Sequence, residues 1–194
     1  MSKLTKDDLM SLEDYAKKRA EFRQQVLAHK KPRKIQIGEH ATLYFENRMT
    51  MQYQIQEMLR IEKIFEEEGI MEELNAYNPL IPDGKNLKAT FMIEYGDENE
   101  RRDALAKMIG IEDKVWIQVN GHDKVYAIAD EDLERDTEEK TSAVHFMRFE
   151  FSNDMVNDAK LGKDISMGIE HQAYTETLAP IPADSRDSLA ADFA

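Results

Sequence analysis

Cysteine is absent from the 194 residues. That excludes disulfides, a thiol nucleophile, zinc knuckles and a self-ligated iron–sulfur cluster. No apolar run approaches the ~20 residues of a membrane span. The opening MSKLTKDDLM lacks the apolar core of a signal peptide, so a cytoplasmic protein is expected. Glycine is sparse, and the eight glycines form neither G-x-G-x-x-G nor the phosphate-loop spacing. There is no G-x-S-x-G elbow and no H-E-x-x-H. No histidine has an acidic residue three positions before it, which removes the Glu-x-x-His pairs of ferritin-like di-iron bundles.

Charge is abundant but uneven. The chain carries a net −13, whereas residues 17–34 hold eight Lys/Arg against Glu21 alone. An acidic body opposes general phosphate-backbone binding, and with Phe22 as its one aromatic the basic stretch is no stacking platform. Nucleic acid is therefore not the expected partner. The stretch reads as a solvated helix face or as a patch that docks on acidic surface. Its partner-binding candidates are Lys17, Lys18, Arg19, Arg23, Lys30, Lys31, Arg33 and Lys34.

Two capping boxes, Thr5 with Asp8 and Ser11 with Asp14, predict a turn of helix and then a helix to about Ala28. Arg33–Ile37 and Ala41–Glu46 alternate apolar and polar residues as a hairpin. A long helix is expected over Arg48–Glu68, closed by Gly69, with a second helix from Met71 to Tyr77. Leu87–Tyr95 reads as a strand, and Asp97 with Glu100 opens a helix that stops at Gly110. Asn120-Gly121 marks a hairpin between Lys114–Val119 and Lys124–Ala129. The acidic run Asp130–Lys140 is expected as a surface loop or helical turn. Ser142–Phe151 is a strand, followed by a helix stopped at Gly162, a short strand through Ile165, Met167 and Ile169, and a terminal helix with Leu189 and Phe193. The pattern predicts a single α+β domain over 1–194, with residues 1–32 a helical N-terminal arm. Its sheet is largely antiparallel, with packed helices and one central two-faced helix.

That central helix carries the first candidates. Met51, Ile55, Met58, Leu59 and Phe65 form one stripe at helical spacing, with Glu62 inside it. Tyr53, Glu57, Arg60 and Ile64 line up on the opposite side, so both sides are expected to be covered. Glu57 and Arg60 suit an i,i+3 ion pair, with Glu62 hydrogen-bonded to a neighbour. Alternatively, Glu57 or Glu62 projects into a pocket as a ligand or general base. Arg148 is a candidate partner, completing a polar cluster of Glu57, Arg60, Glu62 and Arg148. His145 shares a strand face with Met147, Phe149 and Phe151, as a satisfied core histidine or as a ligand. His171 follows a strand end, where binding residues gather. His145, His171 and a helix carboxylate make a metal site if the fold unites them.

The strings YFENRMTMQYQIQEMLRIEKIF, ELNAYNPLIPDG, KATFMIEY and TSAVHFMRFEF resemble an uncharacterised bacterial family, domain-of-unknown-function family 3501. The resemblance covers essentially the full chain, and QIQEMLRIE and YNPLIP are its most specific part. It brings no activity and no catalytic residues. It implies companionship with rubrerythrin-type peroxide-reducing proteins and with iron–sulfur oxidoreductases resembling heterodisulfide reductase subunits. The expectation is thus a non-enzymatic accessory protein that binds a redox partner, iron–sulfur or rubrerythrin-type. The alternative is a metal-dependent enzyme or metal-binding protein using histidines and a helix carboxylate. No organic cofactor and no membrane are expected; a bound metal and a homo-oligomer stay open.

Overall fold

In chain order the elements are α1 (Leu12–Lys30), β1 (Lys34–Ile37), β2 (Ala41–Glu46), α2 (Arg48–Glu62), α3 (Glu67–Tyr77), β3 (Asn86–Ile93) and α4 (Glu98–Lys107). There follow β4 (Val115–Val119), β5 (Val125–Tyr126), β6 (Ile128–Ala129), β7 (Val144–Glu150), α5 (Asn153–Lys160), β8 (Ile165–His171), β9 (Tyr174–Leu178) and α6 (Ala183–Ala190). The computed structural model describes residues 2–133, 135–137 and 139–194.

Alternation along the strands sorts the side chains onto two faces. One antiparallel sheet runs β1-β2-β3-β7-β6 and a second runs β5-β4-β8-β9. Leu43, Phe91, Met147 and Phe149 of the first sheet join Val115, Ile117, Met167 and Ile169 of the second in one apolar core. The α+β architecture and the antiparallel pairing are as the pattern predicts, but the strands divide between two sheets rather than forming one. The Asn120-Gly121 turn does return the chain along β4, pairing Trp116 with Tyr126. Only two residues later the strand leaves that sheet, and Ile128 pairs with Arg148 of β7 instead. Among the described residues no helix is long and apolar enough to cross a membrane.

A second, smaller core unites Met51, Ile55 and Leu59 of α2 with Leu4, Leu74 and Ile81. The other side of α2 faces α1, where the Tyr15 hydroxyl donates to Glu57 at 2.6 Å and Phe22 meets Tyr53 edge-on at 6.0 Å. Both sides of α2 are therefore covered. The helix is shorter than expected. Lys63 turns left-handed at φ 56°, and the Ile64 N–H closes back on the Leu59 carbonyl at 2.9 Å. Gly69, read as the stop signal, lies inside α3, where an added Cβ would sit 2.7 Å from the Ile64 side chain. Its small size serves packing rather than termination.

Candidate metal centre

Strand parity turns His145 toward the core and its neighbours Phe146 and Arg148 to the outer face of the sheet. His145 is wholly buried, so both ring nitrogens need partners. Nδ1 lies 2.6 Å from Asp130 Oδ2, and Nε2 lies 3.0 Å from both Thr141 Oγ1 and the Ser142 carbonyl. Asp130 adopts a left-handed φ of 52°, a conformation aspartate tolerates better than most residues. Its other oxygen accepts from the Phe146 N–H at 3.1 Å and from Arg135 at 3.0 Å. The imidazole is thereby held in one orientation.

Two further carboxylates close on this group. Asp136 accepts from the Gly110 N–H at 2.9 Å and from the Thr141 hydroxyl. Glu112 stands on the single turn Ile111–Lys114, which Gly110 opens with a φ of 81°. Its Oε2 is buried without a hydrogen-bond partner. Burial raises the Glu112 pKa above its ordinary value, and the neighbouring Asp136 adds to the rise while His145 opposes it. Candidate ligand atoms of Glu112, Asp136 and His145 all lie within 4.8 Å of one another. The shared Thr141 hydroxyl sets Nε2 on the Asp136 side, while Asp130 backs Nδ1. An imidazole braced by a carboxylate and facing two others is a recurrent metal-holding arrangement.

The other predicted residues fall elsewhere. Glu57 is gripped by Arg19 at 2.7 and 2.8 Å and lies 3.6 Å from Arg60. Its pKa is lowered to about 2, first by the Arg19 hydrogen bonds and then by that of Tyr15, which outweigh burial. Glu62 is exposed because α2 ends there, and Phe65, expected in the buried stripe, is 72% exposed. Arg148 pairs with Glu131 at 2.7 Å and with Glu150, on the outer face of the sheet. Glu57, Arg60, Glu62 and Arg148 thus occupy three separate places. His171 spends Nε2 on the Ile109 carbonyl and Nδ1 on the Ala173 N–H, each at 3.1 Å, and does not join His145.

The basic stretch is likewise divided. Arg33 is buried, donating to the carbonyls of Phe45, Glu46 and Ser188 and pairing with buried Asp192, so it presents nothing to a partner. Arg19 serves Glu57, and Lys17 pairs with Glu13 one helical turn away. Lys30 and Lys34 lie over the rings of Tyr53 and Tyr44. Lys18, Arg23 and Lys31 are exposed.

Glu112, Asp130, Asp136 and Thr141 were invisible to spacing, since they lie in loops that only the fold unites. The one available signal was Asp130–Lys140, an acidic run leading directly into the strand that carries His145.

A family model described as Protein of unknown function (DUF3501) matches residues 3–193. Among solved structures, the chain is 54% identical to a novel protein of unknown function from Burkholderia pseudomallei K96243. That alignment covers 100% of each chain with a TM-score of 0.93. No curated protein matches.

Proposed function

The chain belongs to the DUF3501 family, and we propose that it is a metal-binding protein whose ion is held by Glu112, Asp136 and His145. The observation that carries this reading is the convergence of their ligand atoms within 4.8 Å, with one Glu112 oxygen buried and unpartnered. A cation would relieve the repulsion between two adjacent carboxylates in a partly buried setting. Two carboxylates and one imidazole suit Mn(II) or Fe(II) rather than a thiolate-loving ion. His145 Nε2 would offer its lone pair to the ion, and Asp130, beside Nδ1, would hold the ring in place.

Metal analysis of untagged protein, before and after incubation with Mn(II), Fe(II) and Zn(II), tests the reading. Near-stoichiometric uptake that falls sharply in Glu112→Gln is expected. A folded wild type that retains none of the three ions would sink it.

A second reading is the non-enzymatic accessory that binds a redox partner of iron–sulfur or rubrerythrin type. Its support is an exposed apolar group at the α2–α3 junction, Ile61, Phe65 and Met71, among Glu62, Glu66, Glu67, Glu68 and Glu72. Exposed apolar surface of this kind, rimmed by charge, suits a protein partner with basic surroundings. Copurification from the native host at low salt tests it. Recovery of no redox protein, or equal recovery with Phe65→Glu, counts against it.

A further inference from the structure

The outer face of the β1-β2-β3-β7-β6 sheet carries a second feature, independent of the buried histidine. A cleft of about 700 Å³ opens between the end of α3 and this face, with Tyr77 and Leu80 on one side and Lys88, Phe146 and Arg148 on the other. That volume lies within the range of small-molecule sites, as does the mixture of aromatic walls and a few convergent polar groups.

Lys88 sits on β3 directly between Glu46 of β2 and Arg148 of β7. Opposite charges would ordinarily be drawn together in such a row. Here the Glu46 carboxylate is taken by the hydroxyls of Thr50 and Thr90, at 2.6 and 3.2 Å. Glu131 and Glu150 are taken by Arg148. The Lys88 ammonium donates to the Pro79 carbonyl, and among the described residues it forms no ion pair. A half-buried lysine is thus held beside a guanidinium that itself engages the nearby Glu131 and Glu150. Burial first, and Arg148 second, push its pKa below the ordinary lysine value, against the opposing pull of Glu131, Asp83 and Glu150. Desolvation and a neighbouring cation are the two devices that turn a lysine into a nucleophile.

We propose that Lys88 is a nucleophilic amine that forms an imine with a small aldehyde or ketone bound in this cleft. The neutral Nζ adds its lone pair to the carbonyl carbon, forming the C–N bond as the C=O π bond opens. Both nitrogen-bound protons pass to the oxygen, which leaves as water while the C=N bond forms. No oxidant, reductant or metal takes part. The aromatic walls, Tyr77 and Phe146, give the carbonyl compound an apolar rest.

The test treats the full chain with glyoxylate, traps any imine with borohydride, and maps the modified lysines by mass spectrometry. Lys88 is expected to be labelled at least about tenfold faster than exposed Lys17 and Lys18. Lys88→Arg removes the fast site, and Arg148→Gln slows it by removing the adjacent cation; circular dichroism verifies that both variants are folded. Labelling of Lys88 no faster than that of the exposed lysines overturns the proposal, as does an undiminished rate in Arg148→Gln.

Discussion

Asp192→Ala removes one partner of a buried ion pair and leaves the Arg33 guanidinium without its counter-charge. Side-chain exposure is 1% at Arg33 and 2% at Asp192, so water cannot replace the lost carboxylate. Breaking such a pair costs about 3–5 kcal/mol, because a charge remains buried and uncompensated. Arg33 keeps three carbonyl acceptors, Phe45 at 3.1 Å, Ser188 at 3.0 Å and Glu46 at 3.3 Å. The expected loss is therefore at the lower end, about 3 kcal/mol. For a chain of this size that lowers Tm by about 6–12 °C. Asp192 also accepts from Asn47, which caps the start of α2, so part of the loss should appear as fraying there. Urea unfolding at pH 7, in low and in high salt, is the assay. Because the pair is buried, the difference from wild type should persist at high salt, unlike that of a surface pair. A midpoint unchanged from wild type, or a loss that vanishes at high salt, would refute the reasoning. Arg23→Ala, on an exposed position of the same basic stretch, is the control and should change stability by less than about 0.5 kcal/mol.

Acid titration should report Glu57. Its carboxyl, ordinarily near 4.5, is held at about 2 in the fold, so the unfolded chain binds the proton first. Its contribution is present above about pH 4.5 and is lost as the pH falls toward 2. The size is about 1–2 kcal/mol once the partial exposure of Arg19 is allowed for. Glu57→Gln should remove that part of the acid dependence of the urea midpoint; an identical pH profile would contradict it. Ile55→Ala should cost about 3 kcal/mol in the same assay, because Ile55 is fully buried in the helical core. Phe65→Ser should be nearly neutral despite its place in the sequence stripe, and a loss comparable to that of Ile55→Ala would show that α2 continues further than Glu62.

Local chemistry made much of the fold legible. The capping residues Ser11 and Asp97 accept from the backbone N–H groups that they cap. The alternation in Ser142–Phe151 puts His145 on one face with Met147 and Phe149, and all three are buried; in Ala41–Glu46 alternation does not sort the faces by burial, since Thr42 and Glu46 are buried as well. Features decided by distant contacts were hidden. Gly69 looks like a helix stop until Ile64 is seen packed against it. β9 gives no strand signal, because its Thr175, Glu176 and Thr177 are exposed and the edge strand carries no apolar alternation. Arg33 reads as one more surface charge, and only the arrival of Asp192 from the far end of the chain makes it internal. The candidate centre was half legible. His145 could be named from its strand, but Glu112 and Asp136 come from two loops whose spacing carries no periodic signal, and the carboxylate sought on α2 points to α1 instead.

A Mn(II) ion held by Glu112, Asp136 and His145 would scatter anomalously. Crystals grown without chelator and soaked in Mn(II) would give an anomalous difference map that tests for it directly. A peak is expected among these three side chains, about 2.0–2.3 Å from His145 Nε2 and from a carboxylate oxygen of each acid. The peak should disappear in Glu112→Gln while Asp130 keeps its hydrogen bond to His145 Nδ1. A well-ordered map with no peak there, or with manganese bound only at surface carboxylates, would contradict this binding.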